Sequence, residues 1–239
     1  MRGTLLNTAT VLGGSLVGLA LGKSLPDAYR EAVMSGIGLV TLGIGVKMFL
    51  QTRNILVVAA AVAIGAVLGT ALGLQAGLEA FAEFAKAKFG GSNPGPFSEA
   101  IVTTSLLFCV GPMTILGCIQ DAVEGKSELL SLKSTLDGFG AIFFAAAMGP
   151  GVVVTAFVVL VFQSLLTLLA RPLQPLAKNE DAMAEISAAG GPIMLAIGLS
   201  LLSIKTLPTA NYIPALFLAP AFVLVGQRVA ANRRLSELG

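Results

Sequence analysis

Apolar residues in this chain come in long continuous blocks, not in the alternating or every-third-and-fourth pattern of a soluble protein with one buried face. Uncharged stretches run over 5–22, 32–46, 55–74, 100–120, 138–148, 151–170, 186–204 and 212–226. A bilayer core of roughly 30 Å takes about 20 mainly apolar residues per helix. The pattern therefore predicts an all-α integral membrane protein of about eight transmembrane segments, forming a single membrane domain over 1–239. The fifth block is the shortest, because only 11 residues lie between Asp137 and Gly149. It spans only if it begins near Leu132 and carries Lys133 and Asp137 inward; a re-entrant hairpin is the alternative.

One stretch follows a different period. Over 75–90, Leu78, Phe81, Phe84, Ala85 and Phe89 fall on one helical stripe, with Glu79, Glu83, Lys86 and Lys88 covering much of the rest. This predicts an amphipathic helix lying in the membrane interface or against a partner, ended by the breaker run GGSNPGP over 90–96.

Composition narrows the chemistry. Of 239 residues, 55% are hydrophobic and 12% charged, the net charge is +2, and there is no histidine. This excludes a secreted disulfide module, a disordered chain and a nucleic-acid binder with a basic face. Zinc held by histidine, a Ser-His-Asp triad and a Cys-His pair are excluded as well. Placed on eight spans, ten of the 15 basic residues fall on one side and five on the other. The positive-inside rule then puts both termini in the cytoplasm, with the lipid bilayer as the main partner. The start does not read as a cleavable signal peptide, since one Arg2 precedes the apolar run and Gly14, Gly18 and Gly22 form small-xxx-small pairs suited to helix packing. This glycine-rich span and the interfacial helix together point to a homo-oligomer.

The two ends of the chain resemble each other. A shift of 153 positions aligns Gly38, Leu42, Ile44 and Gly45 with Gly191, Leu195, Ile197 and Gly198. With a small insertion the match places Asn54 on Asn211 and Gly69 on Gly226, so the second and third spans correspond to the seventh and eighth. These spans lie five apart, an odd number, and so cross the membrane in opposite senses. The reading is an inverted-topology repeat: unit one about 1–74, a linker 75–96, a broken-helix centre 97–150, and unit two about 151–230. Such repeats recur in secondary transporters, whose sites sit near the midplane between the units.

Three Gly-Pro steps, at Gly111-Pro112, Gly149-Pro150 and Gly191-Pro192, fall in or beside apolar blocks. Proline lacks an N–H and disfavours helix in the residue before it. Pro112 lies mid-block, so a second half-helix is expected to start there with free N–H groups and a partial positive charge at depth. The candidate ion or solute site is built around it. Gly111, Pro112, Thr104 and Thr114 line the break, with Cys109 beside it. Asn7 and Gln163 contribute from facing helices, and Asp121 and Asp137 attract a cation or relay protons at the cytoplasmic mouth. Oxygen ligands of this kind suit Na⁺ or H⁺ as a coupling ion. Glu31 and Glu185 are expected at the interface. Cys109 and Cys118, nine apart across the break, suit neither a disulfide nor a metal site. No cofactor is expected.

The run CVGPMTILGCIQDAVEG, the following LKSTLDGF and the later AAGGPIMLAIGLSLL resemble a bacterial family of membrane proteins of unknown function, the one that includes YdfK and YqgA. The resemblance begins at Gly3, Thr4 and Asn7, extends over nearly the whole chain, and is most specific at 109–115 and 136–138. It implies a multi-spanning protein of the bacterial inner membrane with a transport-related role and carries no substrate. The combined reading is a transporter or channel for a small ion or solute, driven by an ion gradient since no phosphate-binding GxxxxGK[ST] motif occurs, and not an enzyme. The alternatives are an intramembrane enzyme using an Asp121–Asp137 acid pair and a structural membrane subunit.

Overall fold

The computed structural model describes residues 1–90 and 96–238. Among these there is no strand, and the chain runs through α1 (Arg2–Gly22), α2 (Asp27–Phe49), α3 (Ile55–Ala71), α4 (Leu74–Phe89), α5 (Phe97–Cys109) and α6 (Pro112–Val123). It continues through α7 (Glu128–Met148), α8 (Gly151–Leu168), α9 (Ala170–Ala177), α10 (Glu180–Leu201), a 3₁₀ turn (Thr209–Tyr212) and α11 (Ala215–Leu238). Six helices are long and apolar enough to cross a membrane: α1, α2, α7, α8, α10 and the Thr209–Ala230 stretch that carries most of α11. Two bent pairs, α3 with α4 at 54° and α5 with α6 at 61°, raise the number to eight if each counts as one span.

Lipid removes the hydrophobic drive between helices, so close backbone approach at small residues must hold them together. On α1 the face of Gly14, Gly18 and Gly22 lies against the backbone carbonyls of Gly138, Ile142 and Ala146 on α7. Both sets of numbers rise by four, so the two helices run parallel. A methyl group on Gly22 would sit 2.6 Å from the Ala146 oxygen. Helix α2 packs on α10 in the opposite sense: Gly38 meets Leu202, whereas Gly45 meets Leu195 and Gly191. The stretches GLVTLGIG and GPIMLAIG are thus the two sides of one antiparallel contact.

Helix α7 runs unbroken for 21 residues and carries Lys133 and Asp137 to buried positions, so the fifth block forms a full-length helix and not a re-entrant hairpin. The amphipathic helix is present as α4, with Ala82 and Ala85 buried beside Phe97 and Ile101 while Phe84 and Phe89 stay exposed. It leaves α3 at Gly73, whose left-handed φ of 65° suits glycine. Of the breaker run, 91–95 lies outside the described residues.

The three Gly-Pro steps have different outcomes. Gly191-Pro192 does not break a helix, because α10 passes through it. Part of the clash that disfavours helix before proline comes from the preceding residue's Cβ, and Gly191 has none. Gly149-Pro150 forms the turn between α7 and α8, with Gly149 at φ 86°. Only Gly111-Pro112 interrupts a span.

Glu185, near the start of α10, is 1% exposed, covered by the loop that joins α2 and α3. Its carboxylate accepts from the Thr52 hydroxyl at 2.8 Å and from the backbone N–H groups of Arg53 and Asn54 at 2.7 and 2.9 Å. It closes the α2–α3 loop, whose donors have no helical partner. Asn54 then caps α3 by accepting from the Leu56 N–H at 3.1 Å. Hydrogen bonds to Asp181 and then Glu180 hold the Arg53 guanidinium above its usual pKa and anchor the same loop. Glu185→Gln keeps the shape and removes the charge, and is expected to lower stability by about 1–2 kcal/mol, measurable as a lower unfolding midpoint in detergent.

Candidate functional site

The break in the α5–α6 span sets the geometry of the site. Val110 is extended with ψ of 119°, and Gly111 follows at φ 151°, ψ 151°, a backbone that an L side chain rarely adopts. A Cβ there would meet nothing within 4 Å, so the glycine faces open space. Pro112 restarts the helix at a position where its missing N–H costs nothing. The Thr114 N–H reaches only back to the Gly111 carbonyl at 3.2 Å, and the Thr114 hydroxyl lies 3.5 Å from the Phe108 carbonyl.

Beside this break, polar groups from neighbouring helices come together in an apolar surround: Gly117 faces Leu130 and Phe108 faces Gly140, so residues 133–137 of α7 lie level with it. Asn7 on α1 donates from Nδ2 to Asp137 Oδ2 on α7 at 2.9 Å. Lys133, four residues earlier on α7, pairs with the same carboxylate oxygen. The Lys133 and Asp137 side chains are 9% and 11% exposed, and Asn7 is fully buried. A charged residue at the centre of a transmembrane helix costs about 2.5–3.5 kcal/mol on insertion scales, which a pair lowers and does not abolish.

Helix α8 packs on α1 as well. Thr4 meets Thr167 at 3.4 Å, and Ser15 donates to the Val152 carbonyl at 3.4 Å, so α1 and α8 are antiparallel. That register sets Gln163 level with Asn7. Gln163 is fully buried with no partner for either amide atom, and Asn7 Oδ1 is also unpaired. Three strong hydrogen-bonding atoms are thus left free at one level of the membrane, where each unmet group is costly. Asp121 closes α6 nearby, accepting from the Gly3 N–H at 3.2 Å and lying 2.7 Å from the Met1 amino group. The start of α1 reads as one polar face: Gly3 to Asp121, Thr4 to Thr167, Asn7 to Asp137.

Of the residues expected at the site, the structure brings Asn7 and Asp137 into contact and sets Gln163 level with them. Gly111, Pro112 and Thr114 form the break. Asp121 is buried at 7% exposure, where a solvated mouth was expected, and it shares no hydrogen bond with Asp137. Thr104 faces elsewhere, bonding Thr155 on α8 and the Ala100 carbonyl, each at 2.6 Å. Cys109 is buried in the apolar core, and neither cysteine forms a disulfide. Sequence reasoning missed Lys133, Thr4 and Thr167 as members of the centre. A lysine four residues before an aspartate on an otherwise apolar helix was the available signal for Lys133.

At the opposite end of α5 lies a cavity of about 400 Å³ between α4, α5, α10 and the loop before the 3₁₀ turn. Glu79, Glu83 and Glu99 line it, with Thr103 one turn below Glu99. A hydrogen bond from Ser98 at 2.5 Å, aided by Lys86, keeps the Glu83 carboxyl below its usual pKa despite partial desolvation. Among the described residues no three Cys, Asp or Glu side chains converge to hold a metal ion.

Residues 2–224 match the family described as "Protein of unknown function (DUF554)". The chain belongs to that family. Among its relatives, "Uncharacterized membrane protein YdfK" of Bacillus subtilis (strain 168) is 31% identical over 229 residues, covering 94% of this chain and 96% of YdfK. "Uncharacterized protein YqgA" of Escherichia coli (strain K12) is 33% identical over 221 residues, covering 91% of this chain and 94% of YqgA. No solved structure matches. This DUF554 member is accordingly a membrane protein whose relatives name no substrate.

Proposed function

We propose that this DUF554 protein is a membrane transporter or channel that passes a small ion or solute and is driven by an ion gradient. The observation that carries the reading is the buried Lys133–Asp137 pair, bonded by Asn7, with the unpartnered amide of Gln163 at the level of Asn7. A chain that serves only as packing is better served by apolar residues there, because pairing recovers only part of the desolvation cost. A proton or Na⁺ arriving at Asp137 competes with the Lys133 ammonium for one oxygen. The freed carboxamides then offer further oxygens to the ion or to water.

The packing of α2 on α10 supports an inverted repeat. The 153-residue shift carries Gly38 to Gly191 and Gly45 to Gly198, so the contact of Gly38 with Gly198 and that of Gly45 with Gly191 exchange. The same shift carries α1 onto the region of α8, and the Asn7–Gln163 level lies between these two helices. A site between the units is where inverted-repeat transporters bind their ions. With both termini cytoplasmic, the polar centre sits in the inner half of the bilayer and the acidic cavity opens outward.

The test is flux in proteoliposomes loaded with a pH-sensitive dye, driven by a Na⁺ gradient or by a K⁺ diffusion potential. Wild-type protein is expected to move protons well above empty vesicles, and Asp137→Asn to lose about tenfold or more of that rate, a barrier change of about 1.4 kcal/mol. An Asp137→Asn rate and pH profile equal to wild type overturns the proposed role of the pair.

A further inference from the structure

The acidic cavity is built differently from the buried centre and speaks to what enters. Glu79 and Glu83 come from successive turns of α4 and Glu99 from α5, and among the described residues no lysine or arginine lines the space. Glu99 has no hydrogen bond or ion pair among the described residues, Glu79 accepts from Gln75 at 2.7 Å, and Lys86 lies 3.5 Å from Glu83. Beneath them Thr103 is 6% exposed, lines the floor, and has no hydrogen-bond partner among the described residues. Its hydroxyl is not sealed off: it opens onto the base of the carboxylate-lined cavity, where it can accept from an N–H donor. An adjoining cavity of about 280 Å³ shares Glu99 and Ser200 and extends the acidic lining to Glu31.

Three properties select the ligand. The carboxylates are spread along the cavity and do not converge as a metal centre requires. The volume falls in the range of small-molecule sites, of order 300–1,000 Å³, well beyond a bare ion. Val102, Ile197 and Leu207 supply apolar wall between the polar groups. We infer that this cavity is the entry site for an elongated organic cation, an aliphatic diamine or polyamine, and that this is the class of solute the protein passes. Each ammonium group pairs with a glutamate, the inner one also donates to Thr103, and the methylene chain lies on the apolar wall. The identification of the solute rests on the transport reading above; the binding site does not.

Binding of 1,4-diaminobutane to the full chain in nanodiscs tests this, read by calorimetry against 1-aminobutane and Mg²⁺ at matched ionic strength. Saturable diamine binding is expected, about fivefold or more tighter than the monoamine, with Glu99→Gln and Thr103→Val each weakening it by about fivefold. Glu79→Gln serves as a second exposed variant should Thr103→Val fold poorly. Mg²⁺ binding tighter than the diamine, diamine binding no stronger than the salt effect, or affinity unchanged in Glu99→Gln and Glu79→Gln each overturn the inference. The two proposals separate cleanly. Diamine binding without flux in the dye-loaded vesicles removes transport and leaves the site, whereas flux without diamine binding removes the site and leaves transport.

Discussion

Lys133→Met is expected to destabilise the fold by about 3–5 kcal/mol, the range for breaking one side of a buried ion pair. The side chains of Lys133 and Asp137 are 9% and 11% exposed, so solvent screens them little. Removing the ammonium leaves a carboxylate whose remaining donor is Asn7 Nδ2 at 2.9 Å. The double variant Lys133→Met with Asp137→Leu removes both charges, and it is expected to recover most of the loss because the desolvation cost disappears with the pair. Unfolding midpoints in detergent for the two single variants and the double complete a cycle that isolates the coupling. A Lys133→Met midpoint within error of wild type would mean that the pair is solvated and that the polar centre is not closed.

The second large effect is expected on the α1–α7 contact. Gly18 lies directly against the Ile142 carbonyl, and a Cβ would also come within 2.9 Å of Ala145 Cβ. The obstruction is backbone and cannot rotate away, so Gly18→Val must push the helices apart. A cost of about 3 kcal/mol, the upper end for overpacking, is expected. The separation also carries Asn7 away from Asp137, so the variant combines lower stability with slower proton flux. Gly13→Val is the matched control, because Gly13 is exposed and a Cβ there meets nothing within 4 Å. It is expected to change stability by no more than about 0.5 kcal/mol. Equal midpoints for the two variants would show that α1 does not pack on α7 through this face.

Much of this architecture was legible because bilayer physics acts on local sequence. Each uncharged block reports a helix on its own, and the amphipathic period of α4 and the stop at Gly111-Pro112 are local signals too. Small-xxx-small spacing marked the face of α1 that packs, since close approach requires a missing side chain wherever the partner is. The motif match between α2 and α10 was visible as similarity. That these helices form one antiparallel contact was not, because similarity carries no information on adjacency.

Where the reading and the structure part, the deciding term was a partner distant in the chain. Asp137 and Lys133 looked like the edge of a short span; α7 takes them inward because each neutralises the other and Asn7, 130 residues away, supplies a further donor. Glu185 read as interfacial by its position near a block end; that the α2–α3 loop covers it and brings it three donors was not legible. Thr104 looked like a lining residue and is turned to Thr155 on α8.

The opposite outcomes of two Gly-Pro steps draw the same line. The sequence alone determined the membrane class, the number of apolar segments and the point where a span breaks, because these depend on hydropathy and backbone chemistry within a few residues. Only the tertiary structure decided which charges are buried and which amide groups go unmet. A polar atom inside a membrane is stable or costly according to what stands within about 3 Å of it, and that neighbour is chosen by packing.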